Sequence, residues 1–432
     1  MVTLSEDILH FIWKYRLYHH QHLCTVSGKS LTVLETGVHN RNAGADFLSA
    51  RMRIGDMEWS GNVEIHVHAS DWYAHKHQRD NAYNNVVLHV VYENDRSVNR
   101  ADGTVLECLE LKPLIPTPIL HKYRELMSGM YWIPCEKLIS TVSSLHLTQW
   151  LTRLLVERFE RKVAAFYEVL NQQQGNWEET CYIWIARYFG SNVNAQAFDQ
   201  LARSLPSRIL AKHKDRPLAI EALFFGQAGF LENTAFEEEY PRRLQEEYHY
   251  LRKLHSLMPM DASVWKFMRV RPGNFPSIRI AQFAALCARA EHLFSAIVQT
   301  ECTDELKALF EALPVNPYWL RHYRFDAASP LHSCQLGVQF IDMLLINVIA
   351  GILFAYGKYI GKEMYIYRAV RLLENLKAES NAIIKRFSKL GVGVKQASES
   401  QALLQMKAYY CDKKKCLDCG VGVQLIKHNE RW

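Results

Sequence analysis

The 432 residues carry a net charge of +6, with 49% hydrophobic and 22% charged residues. These are the proportions of an ordinary globular protein with room for two or three domains. The mildly basic balance is compatible with a polyanionic partner without requiring one. No phosphate loop, GxGxxG turn, GxSxG elbow or HExxH helix is present, which argues against the chemistries those motifs serve.

The N-terminus is polar and then amphipathic, unlike a secretory signal. Thr3 or Ser5 can cap a helix there, with Ile8, Phe11, Ile12 and Tyr15 at helical spacing. Ser30 to Glu35 reads as a strand, followed by a polar turn through Asn40, Asn42 and Gly44. Asp46 opens the strand Phe47 to Ile54. Gly55-Asp56 is a hairpin signal, and Met57 to His68 returns. Ser70 or Asp71 caps a predicted helix running to about Tyr83. Val86 to Tyr92 is apolar and β-branched, as in a central strand covered on both faces. A hairpin at Asp102-Gly103 leads to the strand beginning at Cys108, and Pro113, Pro116 and Pro118 then mark a boundary.

Beyond Ile119 the periodicity is helical, with Leu147, Leu151, Leu154 and Leu155 on one face. The apolar run from Met343 to Tyr356 is shorter than the roughly 20 residues a bilayer needs, so a buried helix is expected. The predicted fold is therefore α+β: an α/β domain over 1–112, a helical domain over 119–410 and a cysteine-bearing tail over 411–432.

Ten of the 19 histidines fall in the first ninety residues. In Asn62-Val63-Glu64-Ile65-His66-Val67-His68, alternation puts Glu64, His66 and His68 on one face and the aliphatic residues on the other. A carboxylate and two imidazoles are costly to place there for packing alone. Asp46 and Glu64 suit a hard divalent cation, Mg2+ or Mn2+, and His66 would orient water or stabilise developing charge. In a regular helix His75 and His77 diverge by about 200°, which favours His75 as the residue facing this site. Lys76 or Arg79 would supply a nearby cation, and Glu35 is a further carboxylate candidate. His89, inside a valine-rich strand, fits a satisfied core histidine.

Helix, strand, Asp-bearing hairpin, Glu-x-basic strand, helix and central strand follow the order of the PD-(D/E)xK nucleases. Asp46 matches that family's Asp and Glu64 its acidic residue. His66 stands where lysine is usual, and Ala45 replaces the preceding proline. The resemblance covers about residues 1–112 and implies a restriction-endonuclease-like core with Asp46, Glu64, His66 and His75 as catalytic candidates. Over nearly the whole chain, GNVEIHVHASDWYAHKH, NVVLHVVYEND, EALFFGQAGFL and FMRVRPGNFPSIRIAQ resemble a bacterial family catalogued as a domain of unknown function, DUF2851. That likeness implies a shared fold and no particular activity.

Two further features stand out. Cys411-x4-Cys416-x2-Cys419 has metal-loop spacing for Zn2+ or an iron–sulfur cluster, with Cys334, Cys302, Cys135 or His332 as the fourth ligand. Some PD-(D/E)xK nucleases and helical DNA glycosylases carry an iron–sulfur cluster on comparable C-terminal cysteines. Lys413 to Lys415 would lower the thiol pKa values there. The remaining cysteines are scattered in apolar contexts and fit reduced thiols in a cytoplasmic protein with no membrane association. Arg269, Arg271 and Arg279, interleaved with Trp265, Phe267 and Phe275, suit phosphate contacts and base stacking, or a turn held internally. Three readings are open: a metal-dependent nuclease, a nucleic-acid binder on a degenerate nuclease core, or a metalloenzyme using His66, His68 and His75 on another substrate.

Overall fold

The computed structural model describes residues 4–232, 235–290 and 292–427. The fold is mixed α/β, with a sheet near the N-terminus followed by a large helical region. Helix α1 (Glu6–Lys14) has Ser5 at its N-cap, without a side-chain cap bond, and buries Ile8, Leu9, Phe11, Ile12 and Trp13. Thr3, the other candidate cap, lies outside the described residues.

Strands β1 (Leu31–Glu35), β2 (Val38–His39), β3 (Phe47–Ile54), β4 (Met57–His68), β5 (Val86–Glu93) and β6 (Cys108–Glu110) form one sheet. Its order is β1-β3-β4-β5-β6, with β2 paired to β3. β3 runs antiparallel to β4, whereas β4, β5 and β6 are parallel. The short β2 falls where the sequence suggested only a polar turn.

Two local devices shape the backbone around Asp46 and the second half of β4. A bulge interrupts the β3–β4 register between Phe47 and Ala50, where Ser49 takes a positive φ of 56°. Bulges bend a strand and re-aim its side chains, and this one lies directly after Asp46. Gly61 permits close approach at the start of the parallel pairing, since a Cβ there would stand 2.4 Å from Val87 and 2.6 Å from the Asn85 carbonyl. β4 begins exposed, and further along Val63, Glu64, Ile65 and His66 are all buried. The alternation expected of this strand is present, but its polar face is covered too.

The helix expected from 71 to 83 does not form as one piece. Helix α2 covers only Asp71–Ala74, and 3-10 turns come after it at His77–Arg79 and Asn81–Tyr83. Lys76 adopts a left-handed conformation (φ 64°), which ends α2, and Asp80 caps the last turn through the Ala82 N–H.

Helix α3 (Thr117–Ser128) is succeeded by the 29-residue α4 (Ser144–Gln172). The chain divides into two compact units that are not contiguous in sequence. One contains residues 1–151, 386–393 and 404–432, and the other 152–385 and 394–403. The C-terminal segment thus belongs to the sheet-bearing unit. In the helical unit the apolar run is the middle of a longer helix, Val338–Ile360, whose 23 residues are long and apolar enough to cross a membrane. In this fold 61% of its most apolar window is buried, so it packs as a core helix.

Candidate metal centre

Asp46 stands at the entry to β3. Its Oδ2 accepts the Ile65 N–H at 2.9 Å and lies 3.3 Å from His10 Nε2 of α1. The Asp46 N–H in turn donates to Glu64 Oε2 at 3.2 Å. The two carboxylates are thereby locked to each other's strands. Glu64 Oε1 faces His77 Nε2 at 3.2 Å and His66 Nε2 at 3.5 Å. Burial pushes the Glu64 carboxyl pKa up, against the opposing pull of His77.

His66 is the hub. Its Nδ1 lies 2.8 Å from His89 Nε2, and its Nε2 lies 3.1 Å from His75 Nδ1. Burial, then His89, His77 and His75, depress its pKa to about 2. The ring is therefore neutral and carries one proton. Burial and His77 likewise hold His89 down at about 3. Placing the His66 proton on Nδ1, toward His89, leaves the Nε2 lone pair aimed at Glu64, His75 and His77. This second-layer hydrogen bond is how proteins fix a ligating imidazole. Trp72 and Tyr83 wall the group, with the Tyr83 ring 3.8 Å from that of His77.

Among the described residues, His66, His75 and His77 are the set of His, Cys, Asp or Glu side chains whose ligand atoms all lie within 4.8 Å of one another. His77 Nε2 is buried without a hydrogen-bond partner, its 3.2 Å approach to Glu64 being unaligned for one. An orphaned nitrogen beside a carboxylate and two more imidazoles fits a transition-metal ion, for which nitrogen donors are well suited.

Asp46, Glu64, His66 and His75 are thus brought together. His77 joins them because the left-handed Lys76 cancels the divergence a regular helix would impose. His68 does not join: it is exposed, and its N–H donates to Asp71 Oδ2. Glu35 is exposed at a surface pair with Arg51, and Lys76 and Arg79 are exposed as well. His89 is buried as expected, yet its Nδ1 has no partner. Sequence reasoning missed His10 and Glu6. Burial lowers the His10 pKa, but Asp46 outweighs it and the net shift is upward. Burial raises Glu6, whose carboxyl feels His75, His10 and Asp46. Their spacing of four on α1 was the available signal.

In the basic stretch, Arg269 and Arg271 are exposed, but Arg279 is buried. Its guanidinium bonds Gln282 and Asn274 and lies 3.6 Å from the Phe340 ring centroid, so it is used internally. The aromatics are engaged too. Trp265 donates to the Ala228 carbonyl, and Arg324 covers Phe267 and Phe275. The tail thiols also depart from expectation. Burial raises the pKa values of Cys411, Cys416 and Cys419 despite the nearby lysines.

Compared with known families, residues 6–382 match DUF2851, described as a protein of unknown function. The chain belongs to the DUF2851 family. The match spans both the histidine cluster and most of the helical region of this DUF2851 protein. Comparison with curated proteins and with solved structures found no match.

Proposed function

We propose that this DUF2851 protein is a metal-dependent nuclease whose ion is held by Glu64, His66, His75 and His77, with Asp46 alongside. The observation that carries this reading is the position of Asp46 and Glu64-x-His66. They converge where the antiparallel β3–β4 pair meets parallel β5, next to side chains of α1. PD-(D/E)xK nucleases use this element order to present their carboxylates, which supports a restriction-endonuclease-like core.

Such an ion would neutralise phosphate charge and lower the pKa of a bound water. The protein's own part is orientation. Asp46 is fixed by the Ile65 N–H, and Glu64 by the Asp46 N–H. His66, held neutral, has a lone pair to offer where the family's lysine could only donate. Imidazoles shift the preference from Mg2+ toward Mn2+ or a later transition metal. Exposed Arg269 and Arg271 remain open to phosphate contacts within the helical unit. Nucleic acid is the partner this reading requires, and a cytoplasmic location without membrane association goes with it.

The test uses purified protein on single- and double-stranded DNA and RNA, with Mn2+ or Mg2+, beside the Asp46→Asn/Glu64→Gln double variant. Cleavage by the parent alone, faster with Mn2+, is expected. Failure of the metal-loaded protein to cut any of these substrates would overturn the proposal. The three-imidazole set favours one second reading, a metal hydrolase acting on another substrate. A transition metal retained through purification with nucleic acid left intact would point there. Nucleic-acid binding without metal or cleavage would instead mark a degenerate nuclease core.

A further inference from the structure

A second group of metal-type ligands in the sheet-bearing unit is independent of the histidines. Cys411, Cys416 and Cys419 are buried, and so is Cys135, in the loop after α3. All four are free thiols. The charges that raise each thiol's pKa, after burial, are largely those of the others. Cys419 and Cys416 act on Cys135; Cys419, Cys135 and Cys416 act on Cys411. Cys416 is pushed up to about 12 by burial and Cys419. The four sulfurs therefore share one pocket. Of the fourth ligands open from sequence, Cys302 and Cys334 belong to the other unit.

The surrounding backbone is shaped for this group. The Gly422 and Val421 N–H groups and the Trp150 side chain bond the Cys419 sulfur and favour its thiolate. Gly422 can carry no side chain, since a Cβ would lie 2.1 Å from the Cys416 carbonyl oxygen. His146 Nε2 meets the Gly420 carbonyl at 2.8 Å, and Lys414 Nζ donates to the Met127 carbonyl at 2.8 Å. Lys407 and Lys414 favour the charged forms of Cys411 and Cys416. They provide positive charge against the anionic set that four thiolates would make.

Spacing separates the metals. A tetrahedral zinc with Zn–S bonds of about 2.3 Å holds its sulfurs about 3.8 Å apart. Among the described residues no three cysteine sulfurs come within 4.8 Å of one another, the histidine trio being the set that meets this limit. A cubane cluster places each thiolate on a different iron and so spreads the sulfurs farther.

We propose that Cys135, Cys411, Cys416 and Cys419 hold a cubane iron–sulfur cluster that fastens the C-terminal segment to the loop after α3. Assembly takes up iron and sulfide and releases the four thiol protons to solvent. The experiment is iron, zinc and acid-labile sulfide analysis of the full chain purified without oxygen, with electron paramagnetic resonance after reduction. The expected result is about four irons and four sulfides per chain and a cluster signal. Cys135→Ser should lower the content several-fold and speed proteolysis of the C-terminal segment. Cys334→Ser should retain the parent's content. Stoichiometric zinc, iron without sulfide, or an undiminished cluster in Cys135→Ser would each overturn the proposal. If Cys135→Ser does not fold, the parent's metal and sulfide content and its resonance spectrum decide.

Discussion

Each of the two units buries a glutamate, and the company each keeps is different. Glu64 faces imidazole nitrogens, one of them orphaned. Glu221, in the helical unit, accepts from the Tyr240 hydroxyl at 3.1 Å and is within 3.5 Å of the Asn316 amide. Burial raises the Glu221 pKa to about 7, only partly countered by those donors. Neutral donors satisfy a carboxyl that keeps its proton. Lone pairs crowded on lone pairs are satisfied only by something positive from outside. Burial of an acid is thus a poor guide to function until its partners are sorted into donors and acceptors.

Substitution on the helical side should give the largest effect. Below pH 4.5 the Glu221 carboxyl is protonated in both the folded and unfolded states and costs nothing. Between about 4.5 and 7 the unfolded chain loses the proton first, so stability falls as pH rises through this window. Glu221→Gln should therefore be neutral near pH 4 and stabilising by up to about 3 kcal/mol at pH 8. Urea melts at the two pH values measure this, and a pH-independent difference would refute it. On the other side, His89→Phe should leave folding intact and weaken Mn2+ binding by about 10–100-fold, because His66 loses the partner that holds its ring. Isothermal titration calorimetry reads this directly, and unchanged affinity would remove the histidines from the metal site. Tyr240→Phe deletes one donor to Glu221 and should cost about 1–2 kcal/mol at pH 8 in the same melts. Last, Arg41→Ala breaks an exposed pair with Asp418 and should cost less than about 1 kcal/mol. A greater loss would mean this pair does more than its exposure allows.

Much of the sheet was legible before the structure. Gly55-Asp56 marked the hairpin, and the alternation from Val63 to His68 put Glu64 and His66 on one face. The breaks came where a single backbone conformation or a distant segment decides. Nothing in the residue type of Lys76 announces a left-handed turn, so the spacing of His75 and His77 pointed the wrong way. His10 reaches Asp46 only through the docking of α1, which periodicity does not specify. Arg279 looked like a surface cation because its neighbours do. Only the packed structure shows it bonded to Gln282 and covering Phe340. Cys135 was one name among four until the chain was folded.

The division of the chain also bears on how it is made. The sheet-bearing unit draws on residues 1–151 and again on 386–393 and 404–432. Synthesis proceeds from the N-terminus, so the ribosome must deliver the entire helical insertion before the sheet-bearing unit has all its parts. The nascent strands wait with the surface that later packing covers still exposed to other chains. Such long-range closure slows folding, because loop entropy is lost before the contacts form. A chain truncated after the sheet would remain an unfinished unit, more dependent on chaperones than its compact strand order suggests.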